Sequence, residues 1–116
     1  MTLHQPASQL LDDLASGRVS AVELTKACLE QIQSTDQRVG AFLRVDEDGA
    51  LAQAANVDER RAKKQPLGRL AGLPVAVKDV LCERGQLTTC ASRMLAEFRP
   101  PYDSTVVAKL KAADAV

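Results

Sequence analysis

The stretch LAGLPVAVKDVL, residues 70–81, places one lysine inside an apolar run. Leu73, Pro74, Val75, Ala76 and Val77 precede Lys78, and Val80 and Leu81 follow the Lys78–Asp79 pair. A lysine in such a run has three readings. Its stem can pack while the amine reaches water. It can pair with a buried carboxylate, Asp79 or another acid. Or burial can strip its proton and leave a neutral base. A free lysine has a pKa of about 10.4 and is protonated at pH 7, so the third reading needs a strong environmental push, for which Val75, Val77 and Val80 are the candidate source. Asp79 does not settle the choice, because adjacent residues of a strand point to opposite faces.

Other groups are weaker candidates. Ser92 ends the segment Thr88-Thr-Cys-Ala-Ser92 and reads as a turn or backbone hydrogen-bond residue; Ser104 reads as a helix cap. Cys28, Cys82 and Cys90 are odd in number and lack framework spacing, so they read as reduced thiols. With no C-x-x-C pair and a single histidine, His4, no metal site is expected.

The elements that must hold Lys78 follow from pattern. The 116 residues suffice for one small domain with one modest core. Leu10, Leu11 and Leu14 before Gly17 predict a short amphipathic helix. Ser20-Ala-Val-Glu23 fits a capping box, and Leu24, Cys28 and Ile32 give the following helix an apolar face through about residue 34. Gly40 breaks it, and Ala41–Val45 reads as a short strand. A third helix is expected over about 50–64, with Arg60, Arg61, Lys63 and Lys64 at its end as a solvated basic run suited to the helix dipole. Pro66 and Gly68 mark a loop. Residues 73–81 read as a strand apolar on both faces, typical of a central strand. A loop over 88–92 and a stiff turn at Pro100-Pro-Tyr102 precede a last helix, Thr105 to about Ala113, capped by Asp103 or Ser104, with Val106, Val107 and Leu110 inward.

This order predicts an α/β fold with helices on a few strands of an incomplete mixed sheet. One unit over 1–116 is expected, helical over 1–64 and carrying the lysine strand, loop and helix over 65–116. A central strand with so few neighbours, and an end at Lys111–Val116 where the next strand would begin, suggest the front part of a larger domain. Such a piece is expected to bury its strand edge by self-association.

The 15 basic and 15 acidic residues cancel, which removes the electrostatic footprint for phosphate backbones, and aromatics at 3% leave little to stack on bases. No secretory leader pattern and no apolar run of membrane-spanning length is seen, so a cytoplasmic protein is expected.

The segments GRLAGLPVAVKDVLCERGQLTTCASRML and PPYDSTVVAKLKAADAV resemble the amidase signature family, and within it the tRNA-dependent amidotransferase branch. The resemblance covers about residues 7–116. It implies a Ser–cis-Ser–Lys triad in which Lys78 is the general base, acting through a bridging serine on the serine that attacks an amide carbonyl. Both serines of that pattern lie in a later Gly/Ser-rich segment, so the chain alone is expected to be inactive. Asp79, Thr89 and Ser92 are expected to shape the site. Val80 stands where the family often has Asn, and Asp114 where it often has Gly. The branch further implies glutamine as substrate and two partner subunits, B and C. It also implies tRNA contact mainly through a partner, with ATP and magnesium used by that partner and no cofactor in this chain. A general amidase acting on another small or aryl amide is the alternative, and a non-catalytic self-associating module the other.

Overall fold

The computed structural model describes residues 3–116. Helix α1, Ala7–Ser16, begins where the Pro6 carbonyl accepts from Gln9 and Leu10, and buries Leu10 and Leu14. It stops at Gly17, whose φ of 74° is a left-handed cap that a Cβ would disfavour. Helix α2, Ala21–Val39, opens with the expected reciprocal capping box of Ser20 and Glu23. It extends beyond residue 34 to Gly40. Helix α3, Glu47–Ala62, is capped by Asp46, which accepts from the Gly49 amide. Its small apolar residues pack it against α2. Helix α4, Thr105–Ala112, is capped by Ser104, whose hydroxyl accepts from Val107 N–H at 3.3 Å. Val107 is buried there, but Val106, expected inward, is 47% exposed. A single 3-10 turn, Arg93–Leu95, lies between α3 and α4.

The core joins α1, α2 and α3 to the loop after α3. Leu10, Leu14, Val19, Ala21, Leu24, Ala54, Val57 and Ala71 form it, with Leu67, Leu73 and Val116 packed at its margin. Asp58 of α3 accepts from Ala21 N–H at 2.8 Å and Val22 N–H at 3.0 Å, so α3 caps the first turn of α2 across the interface. Gly72 lies against this junction at φ 86°; a Cβ there would sit 2.7 Å from that of Ala21.

Both predicted strands, and with them the mixed sheet, are corrected: no strand forms among the described residues. After α2, the Ala41 and Phe42 amides turn back to the Asp36 carboxylate, at 2.7 and 3.3 Å, and are unavailable to a neighbouring strand. Residues 73–78 are without helical or turn structure, but a strand needs a partner for its backbone groups. Among the described residues only Val116 supplies one from a distant segment. Its N–H donates to Leu73 C=O at 3.0 Å and its C=O accepts from Val75 N–H at 2.7 Å, bracketing Pro74 as a parallel pair does.

The basic end of α3 is also less solvated than expected. Arg60 reaches the Asp114 carboxylate at 2.6 Å and the Pro66 carbonyl at 2.7 Å, and Arg61 reaches the Ala71 carbonyl at 3.1 Å. Asp114 also accepts from Gly68 N–H at 2.6 Å. These bonds bind the loop that leads to Lys78 onto the ends of α3 and α4.

Candidate functional site

Lys78 sits at the exit of the 73–78 segment, and it is exposed. The expected burial among Val75, Val77 and Val80 is corrected, for these side chains are themselves 37%, 39% and 51% exposed. The apolar residues are present, but the described residues cover them only in part. Pairing in the Val116 manner stops at Val75: no hydrogen bond reaches the backbone of Ala76 or Val77 among the described residues.

Immediately beyond Lys78 the chain becomes highly constrained. The Lys78 carbonyl accepts from Leu81 N–H at 3.0 Å, closing a turn. Asp79 turns its carboxylate to the Thr88–Ser92 loop, with its side chain only 15% exposed. It accepts from Thr89 N–H at 3.0 Å and from the Thr89 hydroxyl, and its own carbonyl accepts from Cys90 N–H at 3.0 Å. Arg44 completes the cluster, its Nη2 donating to Asp79 Oδ1 at 2.6 Å and to the Leu87 carbonyl at 2.7 Å. These donors, the Thr89 hydroxyl and amide ahead of Arg44, hold the Asp79 carboxyl well below its ordinary value, to about 2. Asp79 is therefore an anion committed to Thr89 and Arg44.

Of the residues expected to shape the site, Asp79 and Thr89 meet directly. Ser92 lies in the same loop, where its N–H donates to Thr89 C=O at 2.8 Å, the backbone role expected of it. Two consecutive residues between them, Cys90 and Ala91, have φ of 49° and 55°, a left-handed conformation uncommon without glycine. The Ala91 amide donates to the Thr89 hydroxyl at 3.3 Å, so the same threonine braces both sides of this turn.

The rest of the loop is hung from the approach to α4. Ser104 N–H donates to Cys82 C=O at 2.8 Å, Gly85 N–H to Pro100 C=O at 2.9 Å, and Thr88 N–H to Phe98 C=O at 3.0 Å. Asp103 accepts from Arg84 N–H at 2.8 Å and pairs with Lys111, contacts that lower its carboxyl pKa, the Arg84 amide foremost. Arg44 had no signal in the sequence, since a strand reading of 41–45 gives it no partner. Its role depends on Asp79, 35 positions away. No group of side chains suited to a metal ion occurs among the described residues.

The amidase family model matches residues 23–116. The A subunit of glutamyl-tRNA(Gln) amidotransferase from Salinispora tropica is 56% identical over 110 residues, which is 95% of this chain and 22% of that protein. The same-named protein of Chloroflexus aurantiacus is 52% identical over 103 residues, 89% of this chain and 21% of its own length. The native peptide amidase of Stenotrophomonas maltophilia superposes with a TM-score of 0.89 at 30% identity, over 98% of this chain and 24% of that one. The chain thus spans about a fifth of the length of the curated relatives it matches. With a family match from α2 to the last residue and a shared fold around the Lys78 segment, the chain belongs to the amidase signature family.

Proposed function

We propose that this chain is the lysine-bearing portion of a glutamine-hydrolysing amidotransferase subunit, with Lys78 as general base. The observation that carries the reading is the GLPVAVKD segment, which presents Lys78 on a half-exposed apolar surface beside an anchored Asp79. Burial is what turns a lysine into a base. In this reading the cover, and the two serines through which Lys78 acts, belong to the longer protein, as do contacts with two partner subunits, B and C. The ammonia released converts Glu-tRNA(Gln) to Gln-tRNA(Gln), with ATP, magnesium and most tRNA contact assigned to the partner. The place of action is the cytoplasm.

The Ser104 hydroxyl is already engaged as a helix cap, which supports the expectation that residues 1–116 alone release no ammonia from glutamine. The test is ammonia release by the longer protein in its complex. Lys78→Ala is expected to lower it by about 10²–10⁴-fold, the usual contribution of a positioned acid–base group. Turnover unaffected by the substitution removes the reading. Glutamine turnover that depends on the partner subunits separates it from a general amidase acting on another small or aryl amide.

A second reading, a non-catalytic self-associating module, is favoured by the half-exposed Val75, Val77 and Val80 and by the backbone of Ala76 and Val77, unpaired among the described residues.

A further inference from the structure

Lys78 stands between two unlike stretches of chain. On its N-terminal side, Ala76 and Val77 have no backbone hydrogen bond among the described residues. On its C-terminal side, Asp79 is tied by its side chain and by its own carbonyl. The backbone of Lys78 is therefore located from one side only. What locates it is the loop at Thr89–Cys90, whose left-handed residues Cys90 and Ala91 hold such a conformation only where the surroundings over-determine it.

Arg44 connects these pieces. One guanidinium nitrogen spans the Asp79 carboxylate and the Leu87 carbonyl, so it ties the residue after Lys78 to the chain that enters the Thr88–Ser92 loop. The neighbouring Asp46 accepts from the Gln86 side chain at 3.2 Å, a second tie between the Arg44 segment and the chain that enters this loop. Arg44 also adds a cation to a carboxylate that Thr89 already holds by its amide and hydroxyl. An arginine suits this work, because it keeps its charge and offers several donors in one rigid plane.

We propose that Arg44 is a positioning residue for Lys78, acting through Asp79 and the Thr89–Cys90 turn. The assignment rests on the reading of Lys78 as the base, but its test does not use turnover. The 116-residue chain is labelled by reductive methylation with ¹³C-formaldehyde, and the Lys78 Nζ-methyl signal is identified by its loss in Lys78→Arg. Hydrogen exchange is followed at Thr89 and Cys90, whose amides donate to Asp79.

Arg44→Ala is expected to shift and narrow the Lys78 signal and to speed exchange at both amides by roughly fivefold to tenfold, the scale of one net hydrogen bond. Exchange within α2 stays unchanged. Arg44→Lys, which keeps the cation and loses the planar fork, recovers part of both effects. Thr89→Val, a near-isosteric loss of one donor to Asp79, moves the Lys78 signal in the same direction and guards against a general effect of Arg44→Ala on folding. A Lys78 signal that answers to neither variant overturns the proposal. Lys78-independent turnover in the longer protein overturns the function reading instead, so the two failures are distinct.

Discussion

At Asp79 the chain keeps a carboxylate ionised by surrounding it with donors. Its pKa, near 2, lies below that of an ordinary aspartate, so its bonds to Thr89 and Arg44 favour the folded state fully above about pH 4. That contribution shrinks as pH falls below the ordinary value and is gone once pH passes the folded one. The Thr89 amide resonance is expected to titrate with a midpoint near pH 2, and Asp79→Asn to abolish that step. A midpoint near 4 means that the carboxylate is not held by Thr89 and Arg44. Asp114 follows the same logic: Arg60 and the Gly68 amide depress its carboxyl, and it sits at φ 60° where a glycine is commoner. The exchange of Gly for Asp noted in the sequence thus gains an ion pair in return for a less favoured backbone.

Among the elements, the junction of α2 and α3 controls the rest. Helix α2 has two caps, Ser20 from the residue just before it and Asp58 from α3. Asp58→Ala leaves the Ala21 and Val22 amides without a protein acceptor. Loss of such a cap costs about 1–2 kcal/mol, and for a chain near 100 residues each kcal/mol lowers Tm by about 4–8 °C. Thermal melts followed by circular dichroism measure it, and an unchanged Tm rules the tertiary cap out. Gly72→Ala attacks the same junction from the loop. Its φ is left-handed and its Cβ would press on Ala21 at 2.7 Å, so a cost of about 1–3 kcal/mol is expected from the backbone alone. Denaturant midpoints at constant slope separate this loss of stability from a change in the unfolded state.

The molecule as a whole carries more surface than its size requires. Its accessible area is 7799 Å², against about 6100 Å² for a compact monomer of this mass. Its radius of gyration is 14.9 Å, against roughly 13 Å. The excess fits the half-exposed Val75, Val77 and Val80 and an exposed Leu43 and Val45 in the α2–α3 connection. Isolated at high concentration, the chain is expected to self-associate through the 75–78 edge, and Val77→Lys to restore the mass of one chain in light scattering. A monomer at every concentration shows that this edge is not adhesive. No described helix is long and apolar enough to cross a membrane.

What sequence alone determined here is local. The Ser20–Glu23 box, the Gly17 stop and the Ser104 cap each depend on residues three or four positions apart, and each forms as expected. The motif that places Lys78 in the amidase family is local too. The strands at 41–45 and 73–81 failed for a different reason. Their apolar patterns state a need for neighbours, and only the three-dimensional arrangement decides whether neighbours exist. Asp36 captured the amides of the first, and among the described residues Val116 alone pairs laterally with the second. Tertiary structure also decided the exposure of Lys78 and the partnership of Arg44 with Asp79. Both depend on what stands beside a side chain in space, and no short-range pattern encodes a contact across 35 positions.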